Sequence, residues 1–203
     1  LLLTSNNISS VNASHQYSDP VGDFYLSGNA SKINSPLEPV DIRFVDAYYN
    51  ETHFMIVIKT DASVDSAPSY PEVYQFSLVV YSENEVNNLF SDIYVDDENG
   101  WNVFGLINDT DKIKSNVDEN SYIWLIERDI GDLGGSPEYI QFLVYTLYEN
   151  PESEILRVFD AAPQQNITWV PPFIGASREG SSYFTLNFTS SIVETMDPVE
   201  KVD

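Results

Sequence analysis

Cysteine is absent from the 203 residues, which excludes a disulfide framework, a thiolate metal centre and a thiol nucleophile. Basic residues are also scarce. Nine Lys and Arg stand against 32 Asp and Glu, a formal net charge of −23, and such a balance repels nucleic acid and anionic lipid at neutral pH. Neither is expected as a partner. Of the two histidines, His15 and His53, neither stands in an H-E-x-x-H pattern, so neither is expected to ligate a metal. Long apolar runs are missing too. The opening Leu1-Leu2-Leu3 gives way to Thr4-Ser5-Asn6-Asn7, far short of the roughly 20 apolar residues of a membrane helix. No membrane span is expected, and the short apolar opening argues against a type IV pilin, which needs a long hydrophobic N-terminal helix. A start at Leu1 fits an export signal already removed.

Catalytic signatures are equally sparse. Gly175-Ala176-Ser177-Arg178-Glu179 fails the G-x-S-x-G elbow at its last position, and no P-loop or dinucleotide fingerprint occurs. Asp96-Asp97-Glu98 gathers carboxylates, but with Asn99-Gly100 behind it the run reads as a polar hairpin turn and departs from the EF-hand pattern. The expectation is a protein that is not an enzyme and holds no metal or cofactor.

What the chain does have is apolar mass in two-residue alternation. It is 42% hydrophobic, with 13 Tyr and 11 Phe, ample for one core. Strands are predicted over 40–48, 53–60, 72–82, 90–95, 101–107, 121–128, 138–148, 154–160 and 182–193. Turn chemistry separates them at Tyr49-Asn50-Glu51-Thr52, Asn99-Gly100, Gly131 to Gly135 and Asn150-Pro151. Phe54 to Ile58 and Ile140 to Leu147 are apolar on both faces, as central strands are. Over 182–193, Phe184, Leu186, Phe188 and Ile192 share one face, while Tyr183, Thr185, Asn187 and Thr189 share the one expected to meet water. The prediction is an all-β antiparallel sandwich, immunoglobulin-like or pilin-like: an extended arm over 1–18 and a single domain over 19–203. Trp169-Val170-Pro171-Pro172-Phe173 reads as an extended connection, since proline cannot donate within a central ladder.

Seven sequons span the chain, at Asn7, Asn12, Asn29, Asn50, Asn108, Asn166 and Asn187. With 17 Asn and 32 Ser plus Thr in 203 residues, chance would supply about three. The excess points to N-linked glycans as the covalent additions, and glycosylation requires export. The acidic balance suggests an acidic habitat. Below about pH 3 most carboxylates are neutral, and few cations are then left to repel one another.

Two families supply resemblances. Asp19-Pro20-Val21-Gly22-Asp23, followed by Val40-Asp41-Ile42, resembles the Asp-Pro-x-Gly-Asp opening of carbohydrate-binding β-sandwich modules related to the DOMON group, although the same residues suit an ordinary two-turn segment. That resemblance implies a secreted or cell-surface sugar-binding module, for which Trp101, Trp124 and Trp169 are the candidate platform, Trp124 being better suited to the core. The overall plan is different evidence: an apolar start, a Ser/Asn-rich stretch over 4–35, dense sequons and an acidic, Tyr-rich β pattern. It resembles the thread pilin of thermoacidophilic archaea and, more distantly, the donor-strand pilins of chaperone–usher fibres. This second resemblance implies an extracellular adhesive filament subunit that polymerises with identical copies. Its donor strand would use Leu1, Leu2, Leu3, Thr4 and Ile8, and its outer partners would be other filaments or cell-surface glycans.

Overall fold

The computed structural model describes residues 13–23, 25–27, 37–64, 72–83, 88–96, 100–106, 109–150, 156–163, 182–189 and 193–196. Thirteen strands follow in chain order among them: β1 Ala13–Ser18, β2 Tyr25–Ser27, β3 Ile42–Tyr49, β4 His53–Thr60, β5 Val73–Ser82, β6 Asn88–Asp96, β7 Gly100–Leu106, β8 Ile113–Asp118, β9 Ser121–Glu127, β10 Tyr139–Asn150, β11 Leu156–Ala162, β12 Tyr183–Asn187 and β13 Val193–Met196. No helix among the described residues is long and apolar enough to cross a membrane.

The strands form two antiparallel sheets. The first runs β1-β3-β4-β9-β8, and the second runs β13-β12-β10-β5-β6-β7, with β11 also on β10 and β2 on β11. Hairpins account for most neighbours. The β3–β4 and β8–β9 pairs each turn over a few polar residues, and β10 sets its twelve residues between β5 on one side and β12 and β11 on the other.

Alternation builds the core between the sheets. Phe54, Ile56 and Ile58 of β4 and Tyr122, Trp124 and Ile126 of β9 meet Phe76, Leu78 and Val80 of β5 and Phe142 and Val144 of β10. Phe76 and Tyr122 stack with ring centroids 3.4 Å apart. The Trp124 indole N–H donates to Ser91 Oγ at 3.1 Å, so this wholly buried ring is satisfied across the sandwich.

The both-face apolar character of the central strands is used twice. Met55, Val57, Ile123 and Leu125 form a buried cluster behind the first sheet. Val79, Tyr81, Leu143, Tyr145, Phe159 and Tyr183 form another behind the second.

Three expectations need correction. Residues 13–18 of the expected arm form β1, an edge strand paired with β3; Gln16 holds it there by donating to Asp46 at 2.8 Å. The expected strand over 182–193 is two strands, β12 and β13, paired with each other. Phe188 leaves the ladder between them to pack on Tyr49 and Phe54. Tyr183, assigned to the solvent face, is 3% exposed and meets Tyr81 edge to face, because that outer face carries its own apolar cluster.

Candidate functional site

At one lateral edge of the sandwich β7 and β8 face each other across a groove. Among the described residues, β7 pairs only with β6 and β8 only with β9, so each offers a row of backbone donors and acceptors. A groove of about 310 Å³ lies between them, lined by Ile93, Trp101, Val103, Ser115 and Val117 among others. Trp101, Ile113 and Val117 reach the core but stay only half-buried. Trp101 leans on Phe76 and Tyr122, with centroids 6.2 and 5.8 Å away. Ser115 Oγ is buried without a hydrogen-bond partner. Val103, 58% exposed, is the outer wall.

Leu1, Leu2, Leu3, Thr4 and Ile8, the donor-strand residues, lie outside the described residues, as do the sequons at Asn7, Asn12, Asn29, Asn108 and Asn166. The arm they belong to precedes β1, and β1 is the edge of the first sheet opposite β8. The described residues thus begin on the lateral edge opposite the groove.

The two described sequons sit at one end of the sandwich and share a local geometry. Asn50 Oδ1 accepts from Thr52 N at 2.9 Å and Thr52 Oγ1 at 3.2 Å. Asn187 Oδ1 does the same with Thr189, at 2.8 and 2.7 Å. In each, the Asn oxygen closes an Asx turn on the sequon's own threonine. Asn50 lies in the β3–β4 turn as expected, but it is 7% exposed rather than open, since Oδ1 also takes the His53 N–H at 2.7 Å. Arg128 joins the two: it donates to Asn50 O at 3.3 Å and lies 4.0 Å over the Phe188 ring. His53 Nδ1 lies 2.8 Å from Thr52 Oγ1, a turn contact; His15 falls in β1.

At the opposite end, side chains far apart in sequence converge. Oxygens of Asp19, Asp23 and Asp160 all lie within 4.8 Å of one another. Asp160, on β11, is oriented by two backbone donors, Ile42 N at 2.7 Å and Ala161 N at 2.8 Å. Asp41 grips the 19–23 turn, both its oxygens 3.0 Å from Gly22 N. Gly22 has φ +71, a left-handed conformation that glycine adopts without strain. Burial, reinforced by the Asp160 charge, pushes the Asp19 carboxyl up to about 8. Burial likewise pushes Asp160 up to about 7, against the pull of Ile42 N–H. Sequence reasoning found Asp19, Gly22, Asp23 and Asp41 as a motif and missed Asp160, whose place in an ordinary strand pattern carries no signal.

The tryptophans do not make an open platform among the described residues: Trp124 is core, Trp101 turns its ring inward, and Trp169 lies outside them. No protein-family model, curated protein or solved structure matches this chain.

Proposed function

We propose that the chain is a non-catalytic structural subunit of an extracellular adhesive filament, glycosylated at its sequons. Subunits polymerise head to tail when the arm of one, over residues 1–8, enters the β7/β8 groove of the next. The observation that carries this reading is the open edge. Two strands from different sheets, each paired on one side only among the described residues, flank a groove whose core-facing Trp101 and Val117 are left half-buried. An extended segment added there pairs its backbone with the edge and covers those side chains.

The sequence supplies such a segment in Leu1, Leu2, Leu3, Thr4 and Ile8. Because arm and groove are different surfaces, the contact is heterologous and propagates into an open fibre rather than closing as a dimer. Burying two or three leucines contributes on the order of 3–9 kcal/mol before the cost of ordering the arm, so no disulfide is needed. Glycans elsewhere would limit lateral sheet association.

The test is removal of residues 1–6. The truncated protein is expected to keep its β circular dichroism, to lose polymerisation in electron micrographs, and to bind a synthetic peptide of the arm. Normal fibres from the truncated protein would exclude the arm as donor.

A sugar-binding role keeps one specific support. The Asp-Pro-x-Gly-Asp segment and Asp41, which carry that resemblance, do engage each other directly through Gly22. A glycan-array screen of the monomer would decide it, with a binder blocked by substitutions near that turn favouring this second reading.

A further inference from the structure

The acidic cluster at the far end has a feature that charge composition does not explain. Asp19 is 5% exposed, and neither of its carboxylate oxygens has a hydrogen-bond partner; the same holds for both oxygens of Asp23. Buried carboxylates are ordinarily paired, hydrogen-bonded or bound to metal. Asp160 and Asp41 meet that requirement with backbone N–H groups, whereas the oxygens of Asp19 and Asp23, with the Tyr17 hydroxyl close to Asp19, complete no hydrogen bond and face the same small space. The nearby cation, Arg43, is 3.9 Å from Asp61, and it gives Asp19 a backbone carbonyl to bond rather than a side-chain donor, with Asp19 N to Arg43 O at 3.0 Å.

We propose that Asp19, Asp23 and Asp160 bind a divalent cation, calcium by preference, that ties the two sheets together where the chain crosses between them. The donor set is all oxygen, which selects a hard cation. Calcium–oxygen bonds of about 2.3–2.6 Å put ligands on opposite sides of the ion about 4.6–5.2 Å apart; a spread within 4.8 Å therefore fits one coordination sphere without rearrangement. Magnesium, which demands a near-ideal octahedron and gives up its waters reluctantly, suits three carboxylates fixed on separate segments less well. Access runs through the 20–22 turn, where Pro20, Val21 and Gly22 are all exposed, and water can fill the remaining positions there.

Position gives the ion a structural role. Asp19 follows β1 of the first sheet, Asp23 precedes β2 of the second, and Asp160 belongs to β11, on which β2 pairs. The cation would pin this crossover from three points.

The test uses the full chain, stripped with EDTA at pH 7.5 and titrated with CaCl2, with MgCl2 and NaCl at matched ionic strength as references. A saturable rise in Tm is expected, roughly 5–10 °C at a hundredfold excess over the dissociation constant, with magnesium weaker and sodium without effect. Asp19→Asn and Asp23→Asn should each lower the apparent calcium affinity at least about tenfold. Asp23 is only half-buried, so its variant serves if the Asp19 variant folds poorly. Terbium should bind in calcium's place with tyrosine-sensitised luminescence, Tyr17 being the half-buried neighbour of these carboxylates, and both variants should lose that signal. A Tm indifferent to calcium, or one raised equally by sodium or in both variants, overturns the proposal.

Discussion

The two lateral edges of the sandwich are closed by different means. Beside β1 the chain itself passes from one sheet to the other, and that edge is sealed by polar groups: Asp41 holding Gly22 and Asp160 holding Ile42. Beside β7 and β8 the chain also passes between the sheets, from Leu106 to Ile113, but there the core ends in half-buried Trp101, Ile113 and Val117. A sandwich with buried polar contacts at one edge and an apolar groove at the other has a direction. That asymmetry, more than the fold class, is what the proposed head-to-tail assembly would use.

The largest effects should come from cutting the anchor of each edge. Trp101→Ala removes a ring packed on Phe76 and Tyr122 and is expected to cost about 2–4 kcal/mol in urea unfolding, towards the low end for Trp→Ala because the ring is half-buried. Asp160→Ala strips two buried backbone N–H groups of their acceptor and should cost about 2–3 kcal/mol. If the closed edge tolerates its loss while the open edge does not, the two are not sealed as described.

The next effect is a pH response. Burial raises the Asp92 carboxyl from the ordinary carboxylate range to about 6, against hydrogen bonds from Ser77 and Gln75. The folded state therefore holds that proton over a range where the unfolded chain has released it. Stability is full below about pH 4 and falls as pH rises through about 6. Asp19 and Asp160 extend the same trend towards about 8 and 7. Measured in EDTA, the protein should be more stable at pH 4 than at pH 8, and Asp92→Asn should remove a part on the order of 2–3 kcal/mol. Stability that climbs with pH over this window would reverse the sign and remove the physical basis for an acidic habitat.

The smallest thermodynamic effect should be the most selective. Val103→Lys, on the exposed wall of the groove, should change stability by no more than about 0.5 kcal/mol while abolishing binding of the arm peptide.

How much of this could be read from sequence follows from burial. Strands with one or two apolar faces, such as His53–Thr60, Val73–Ser82 and Ser121–Glu127, fall within a residue or so of their predicted spans. Ile113–Asp118 escaped, because an edge strand needs apolar residues only where it touches the core, here Ile113 and Val117. Ala13–Ser18 escaped for the same reason. Its polar text reads as linker, yet it pairs along its whole length with β3. Tyr183 was misassigned because tyrosine suits water and core alike, and alternation says which residues share a face without saying what covers it. The groove is a relation between two edges and the acidic cluster a relation between two sheets, so neither has a local signature; only the Asp19–Asp23 turn did.

The central claim, that the open edge receives a neighbour's arm, can be tested by a single cross-link. Since the chain has no cysteine, Leu3→Cys with Val103→Cys introduces the only two thiols. Oxidised fibres of the double variant should run as a ladder of covalent multimers on a non-reducing gel and collapse to monomer on reduction, while each single variant gives no ladder. Fibres that form normally but yield only monomer, with arm cysteines placed at positions 1, 2 and 4 as well, would contradict insertion beside β7.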